Sequence, residues 1–499
     1  MKRVLSLVLA LMMLCAAFAL TACGQQTTTP PLGEIDPGDG TEGSTIPPEA
    51  PNPDDEEAAN KPRPGFEDVD FAGHTFLFVS PLGTTDGWAD YEVYAEEDGA
   101  GILDAAINAR NNAMAEHYDC LIAVEDIDAG KLEDDRNTNQ CRVDIALTRY
   151  NLGGKADGKY YDFHSLDIDL TQPWWDQNFI NDVTINGQLY TMLGAYSLTS
   201  FDATWVMFFN KDVKENNDQL KNIDFYELVY NNEWTLDKFY ELIKMAKVED
   251  GNQAMELGTT DIFGLVSSDF GIRGLYFGAG QSYLNKTDAA DGSTTFTAAF
   301  NQSAVDATDI IVEIYADEAV KVTGYQTVGK QFRSATTLFA PEVLRYAAAY
   351  AGKQGASTEA INIGIIPHPK LNAEQEGYKH NIDNHMIYLM IPTTCQDLAR
   401  ITDFVELYAY HSYLTVYKEY LNLYKYQYTT DTDSATMVDE ILQSRYFDLA
   451  YHFNFASVDS EFATGVQDGK NLVAELGGKF GDAIVSAANT WRDKLPQNN

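Results

Sequence analysis

The 499-residue chain carries 75 acidic against 34 basic side chains, a formal net charge of −41. A surplus of that size repels nucleic-acid phosphates and anionic lipid headgroups, which excludes a nucleic-acid binder and a protein lying flat on a charged membrane. Hydrophobic residues at 45% and aromatics at 12% are enough for a large core, and the length suits two domains or one two-lobed body.

The chain opens with the cations Lys2 and Arg3, followed by an apolar run over 4–20, the layout of a secretory signal. It closes in Leu20-Thr21-Ala22-Cys23-Gly24. That order resembles the bacterial lipobox, which implies that Cys23 takes a diacylglyceryl group and becomes the mature N-terminus; an uncleaved anchor with an incidental Cys is the weaker alternative. From 24 to 65 Thr, Pro, Gly, Asp and Glu dominate, too little apolar surface to offset ordering entropy. The stretch 23–65 reads as a disordered acidic tether, extended by self-repulsion. Nothing after 22 is long and apolar enough to cross a bilayer.

The folded part reads in chain order from residue 66. Alternating aromatics and β-branched residues predict a strand over 71–80. Helical spacing predicts a helix over 101–118, and strands follow at 121–125 and 142–147. The segment 161–170 turns into a Pro-Trp-Trp-Asp loop. Strand, helix, strand implies a layered α/β lobe with a mainly parallel sheet. Further strands are expected at 188–191 and 204–209, and helices within 225–230 and over 235–248, where Thr235 is a candidate cap. Asp291-Gly292 marks a hairpin turn. A helix over 304–315, strands over 361–366 and 386–391, and helices over 398–417 and 470–491 complete the pattern.

Of the five cysteines, Cys15 leaves with the signal and Cys23 is lipidated. Cys120, Cys141 and Cys395 show no CxxC spacing and no paired His, so no zinc site is expected. A Cys120–Cys141 disulfide and buried free thiols remain as alternatives. Catalytic signatures are missing: the sequence has no G-x-S-x-G, H-E-x-x-H or Walker loop. The calcium-like fragment Asp126-Ile127-Asp128-Ala129-Gly130 lacks its later ligands. His380 and His385 read as structural.

Five segments, in order, resemble one family. They are Phe208-Phe209-Asn210-Lys211-Asp212, Glu233-Trp234-Thr235-Leu236-Asp237-Lys238-Phe239, the hairpin and helix starting at Asp288, Ile363-Gly364-Ile365-Ile366-Pro367-His368-Pro369, and Met390-Ile391-Pro392-Thr393-Thr394. The chain is similar to the extracellular solute-binding proteins of ABC importers, the group that includes maltose- and oligosaccharide-binding proteins. It departs from them at Phe339, where the family has Trp, and over 424–454, which has no counterpart. The resemblance implies a two-lobed, periplasmic-binding-protein-like α/β fold with an interlobe cleft. Lobe 1 would comprise 66–205 and about 385–446, lobe 2 206–384 and about 447–499. Chain crossings would fall near 205–210 and 384–388, with a third near 447–455.

A sugar presents an apolar ring face and a rim of hydroxyls, so its site needs flat aromatics together with carboxylates, amides or Arg. Such residues in loops at strand ends give the candidates Asp86, Trp88, Trp174, Trp175, Asp202, Trp205, Arg273, Arg333, Phe339 and Arg345. Each has a packing alternative: a loop Trp often fills a satellite cluster, and a loop Arg often pairs on the surface. Trp234 reads as a helix-start core residue, and Tyr410, Tyr413, Tyr417 and Tyr420, at helical spacing, read as packing.

The expected protein is a monomeric lipoprotein that uses no cofactor or metal, binds a small polar solute, foremost an oligosaccharide, and hands it to a membrane permease. An extracellular carbohydrate-active hydrolase and a surface scaffolding lipoprotein are the alternatives. A Cys23→Ala form is expected to leave the membrane fraction while its body stays folded; cell fractionation checks this, and retention in the membrane would contradict the lipobox assignment.

Overall fold

The computed structural model describes residues 56–82, 88, 92–95, 101–126, 129–149, 158–252, 254–353, 359–429 and 431–496. Two sheets organise the body. The first has the strand order Ile387–Met390, Ile145–Arg149, His74–Ser80, Cys120–Asp126. Its first strand buries Phe76 and Phe78 completely, the inward set of the period-2 pattern. This strand runs parallel to Cys120–Asp126, with the register His74 to Cys120 through Ser80 to Asp126. The helix Ile102–Tyr118 links them and ends at Asp119, whose left-handed backbone (φ 48°) returns its N–H to the Ala115 carbonyl. That cap is why the next strand starts at once. The helix Leu398–Ser412 covers the sheet, stacking Phe404 on Phe76 with centroids 3.6 Å apart.

The second sheet has the order Ile363–Ile366, Trp205–Asn210, Thr337–Val343, Phe263–Ser267, Val320–Val322. Trp205–Asn210 is buried along its whole length and antiparallel to both neighbours. The sheets are therefore more mixed than expected: in the first, the strand returning from the second lobe pairs antiparallel. The helix Leu236–Ala246 opens on Thr235, whose side chain accepts the Lys238 N–H. It lies so close to strand Phe263–Ser267 that a Cβ on Gly264 would stand 2.2 Å from the Ile243 carbonyl oxygen. The segment 188–191, expected as a strand, makes only one isolated bridge, Gln188 to Ile185, and the next residue, Met192, bridges Leu389. Asp291-Gly292 does turn a hairpin, between Leu284–Asp288 and Thr294–Ala298.

Two segments cross between the sheets side by side. Met192 and Leu389 exchange backbone hydrogen bonds at 2.9 and 3.0 Å, and Asp383 N–H donates to the Ala203 carbonyl at 2.8 Å. The third connection differs from the expectation near 447–455. The helix Leu398–Ser412 runs on through Tyr413–Tyr417, Lys418–Leu423 and Tyr424–Tyr428, with two π turns, which widen the helix by one residue each. The next helix, Thr432–Gln443, already lies on the second sheet: Ser434 Oγ accepts the Ile365 N–H at 3.2 Å.

Part of the stretch read as tether is structured. A short helix spans Glu56–Ala59. Arg63 then pairs with the buried Glu406 at 2.7 Å and lies over the Phe66 and Trp174 rings at 4.4 and 4.7 Å. Composition averaged over the stretch hides this one well-placed cation.

The Cys120–Cys141 pairing does not form, and the buried-thiol reading holds for Cys120 alone. Cys141 is bonded to Cys395, 254 residues away, and Cys120 is a free, buried thiol. Burial pushes the Cys120 thiol up to about 12, so it is unreactive while the fold holds. Cys395→Ser is expected to lower stability by about 2–4 kcal/mol, since the bond closes a very long loop. Chemical denaturation in metal-free buffer measures this, and alkylation of Cys120 should appear only beyond the unfolding midpoint.

Candidate binding site

The carboxyl ends of parallel strands are where open α/β sheets take ligands. In the first lobe the chain leaves strand His74–Ser80 and reaches Trp88. That indole stacks on His385 of the crossing segment, with centroids 5.0 Å apart and planes 21° from parallel. The Arg345 guanidinium, just past strand Thr337–Val343 of the second lobe, lies 4.3 Å from its ring centroid. One aromatic thus joins lobe 1, lobe 2 and the hinge. His385 is held in turn by Asp383, which pairs with its Nδ1 and accepts its backbone N–H at 3.0 Å.

Beside this stack, Asp202 Oδ1 accepts the hydroxyls of Tyr420 (2.9 Å) and Tyr424 (2.7 Å), while its carbonyl takes the Arg345 N–H at 3.1 Å. Asp202, Arg345, Lys353, Tyr420, Tyr424 and Tyr428 line a cavity of about 290 Å³, near the lower end of small-molecule sites, which run from about 300 to 1,000 Å³. Its wall reaches lobe 1 at Leu103 and lobe 2 at Ala348. Flat aromatics, a carboxylate and two cations around one cavity are the means to hold a polyhydroxylated ring.

Trp205 opens the strand Trp205–Asn210 of the second sheet and is 6% exposed. It stacks on Phe270 at 6.1 Å, and Phe270 carries the Arg273 guanidinium at 4.8 Å. Arg273 is itself buried and engaged by Asp459 (2.6 Å) and Asp269 (3.2 Å). Burial pushes the Asp459 carboxyl up to about 6 in spite of this partner.

The remaining candidates lie elsewhere. Trp174 and Trp175, each 2% exposed, border a separate cavity of about 330 Å³ with Phe201, Tyr413, Tyr417 and the buried Asp176–Arg445 pair; it shares no lining residue with the first. Phe339 is fully buried among Phe225, Trp234 and Phe239. Arg333 donates to the Ala349 carbonyl at 3.1 Å and lies over Tyr350. It faces Glu342, whose carboxyl burial raises to about 8 while Arg333 pulls it down. Asp86 and Cys23 fall outside the described residues. The structure therefore gathers Trp88, Asp202 and Arg345, puts Trp205 and Arg273 in a second hinge-side stack, and assigns Phe339 and Arg333 to the packing of lobe 2.

Sequence reasoning did not single out Asp383, Lys353, Tyr424 or Tyr428 and read His385 as structural; Tyr420, read as packing, is 1% exposed and also borders the cavity. The tyrosines at 420, 424 and 428 repeat at one helical spacing, and a row of hydroxyl-bearing rings facing an Asp is the signal that could have found them.

No protein-family model and no curated protein matches the sequence. Solved structures do match. A cyclo/maltodextrin-binding protein solved with maltotetraose superposes with a TM-score of 0.53 at 13% identity, over 85% of this chain and 97% of that one. UspC of M. tuberculosis superposes at 0.52 and 14% identity, over 83% and 100%. This chain has the two-lobed periplasmic-binding-protein fold. Within that fold, the Trp88 stack and the 290 Å³ cavity sit where the lobes meet over the paired crossings.

Below the stack, His452 is buried with Nδ1 2.7 Å from the Asn384 Oδ1, and burial holds its pKa down to about 3 although Asp383 opposes the shift. The folded chain keeps it neutral, whereas the unfolded chain protonates it below about 6.5. Stability from this group is complete above about 6.5 and is lost as pH falls toward 3. Between pH 7.5 and 5.5 the wild type is expected to lose roughly 1 kcal/mol more than His452→Gln, measured by urea unfolding at the two pH values.

Proposed function

We propose that this chain is the substrate-binding component of an ABC importer. In this reading Cys23 carries the lipid that anchors it at the outer face of the cell membrane, the interlobe cleft captures an oligosaccharide, and a membrane permease receives it. The arrangement that carries the proposal is the meeting of Trp88, His385 and Arg345 where both lobes and the hinge join, beside the cavity that Asp202, Arg345 and the tyrosines line. A sugar ring laid against the aromatic rings that border this cavity hides its apolar face from water. Asp202, Lys353, Arg345 and the tyrosine hydroxyls stand ready for the hydroxyl rim, and each such hydrogen bond is strengthened once closure excludes water.

No bond need be broken for this work. Binding energy drives the lobes together, and the closed form is favoured only by contacts that the open form lacks. The acidic body disfavours anionic solutes at long range, which fits a neutral ligand. The fold likeness to a binding protein solved with maltotetraose supports the oligosaccharide class.

A saturating oligosaccharide is expected to raise the melting temperature of the purified protein, since a ligand that binds only the folded state stabilises it. Trp88→Ala and Arg345→Ala should each weaken calorimetric affinity at least about tenfold, or about 1.4 kcal/mol, whereas Arg333→Lys should not. A flat response across linear and cyclic maltodextrins and other oligosaccharides would refute the carbohydrate assignment, and turnover of a bound sugar would refute the receptor assignment.

A further inference from the structure

The edge of the first sheet opposite the cleft holds a side-chain cluster that solute binding does not use. Asp144 precedes strand Ile145–Arg149, Cys141 precedes it by one turn more, and Cys395 follows strand Ile387–Met390. Because these strands are antiparallel, the start of one and the end of the other meet at the same edge. His74 opens the neighbouring strand there. The ligating atoms of Cys141, Asp144 and Cys395 all lie within 4.8 Å of one another. Asp144 Oδ1 is 3.9 Å from Cys141 Sγ and 3.3 Å from His74 Nε2, and its Oδ2 accepts the Leu77 N–H at 2.9 Å. The three residues border a cavity of about 220 Å³.

We propose that, with the disulfide reduced, Cys141, Cys395 and Asp144 form a zinc site whose fourth position opens to this cavity. Around a tetrahedral zinc, bond lengths of about 2.3 Å to sulfur and about 2.0 Å to oxygen place a sulfur and an oxygen ligand roughly 3.5 Å apart, and two sulfurs roughly 3.8 Å apart. The Cys141–Asp144 spacing of 3.9 Å already stands near that value. The Cα atoms of the two cysteines are 4.9 Å apart, so side-chain rotation supplies the separation of the sulfurs. The Leu77 N–H and His74 fix the carboxylate from behind, as outer-shell partners do in metal sites. Two thiolates and a carboxylate are the donors zinc prefers over magnesium or calcium.

The chemistry balances. Two external thiols give their hydrogens and two electrons to the protein disulfide and leave joined as one disulfide; zinc then displaces the two thiol protons. The bond and the ion are thus alternative staples between the same two strands, exchanged by the redox state, and neither touches the cleft. The sequence hides the site because its cysteines are 254 residues apart.

The test reduces the purified full chain with a phosphine, which does not compete for zinc: the phosphine takes the oxygen of one water, and that water's two hydrogens go to the sulfurs. Zinc is added, excess is removed by gel filtration, and the metal is counted by elemental mass spectrometry. About one zinc per chain is expected in the reduced protein and none in the oxidised protein. Cobalt in place of zinc should give the visible bands of tetrahedral thiolate coordination. Cys395→Ser should abolish binding, Asp144→Asn should weaken it at least about tenfold by loss of one ligand, and Cys120→Ser should leave it unchanged. Reduced protein that takes up no zinc, folded or not, overturns the proposal, as does equal uptake by Cys395→Ser.

Discussion

The pairing of the two crossing segments governs the rest of the molecule. Met192 with Leu389, and Ala203 with Asp383, are bonded backbone to backbone, so the lobes are joined by a short ribbon and not by two independent strings. A ribbon bends across its width far more readily than it shears along its length. In the proposed receptor, opening and closing would follow one direction, and residues beside the ribbon would meet again in the same geometry on every cycle. Trp88 stacks on His385, a residue of the ribbon itself, and Arg345 lies against the Trp88 ring. A site assembled from both lobes needs this repeatability, because misplacement by an ångström would cost the hydrogen bonds that distinguish one solute from another.

Charge is handled by local pairing in a chain that is acidic overall. Buried cations sit beside carboxylates: Arg273 with Asp459, Arg445 with Asp176, Arg63 with Glu406. Removing one member of such a pair leaves the other uncompensated in a poor solvent for ions, which is strongly destabilising. This explains why Arg273, which looks available for ligand binding in the sequence, is committed to the framework. Among the candidates, Arg345 rests its guanidinium on an indole and Arg333 on the Tyr350 ring.

Much of the framework was legible. Strand 74–80 announced itself by alternation, helix 236–246 by its Thr cap and apolar face, and the hairpin at 291–292 by Asp-Gly, because each depends on neighbours in sequence. The site was legible only in part. Trp88, Asp202 and Arg345 were found by asking which loop residues suit a sugar, yet the same question also selected Phe339, which fills the core of lobe 2, and Trp174 and Trp175, which border another cavity. The tyrosines at 420, 424 and 428 were hidden because a helix shows the same periodicity whether its face meets a core or a cavity. Arg63, the Cys141–Cys395 bond and the early return of the chain at Thr432–Gln443 were hidden because each is settled by contacts far away in sequence.

The grip of Arg63 on Glu406 and Trp174 has a mechanical side. Any pull arriving along the preceding chain enters the body at that point and is borne by helix Leu398–Ser412 and the first sheet behind it. The load never passes through the ribbon. In the proposed anchored receptor, lobe 1 would then be the part held fast and lobe 2 the part that swings, and tension along the chain would leave the angle between the lobes unchanged.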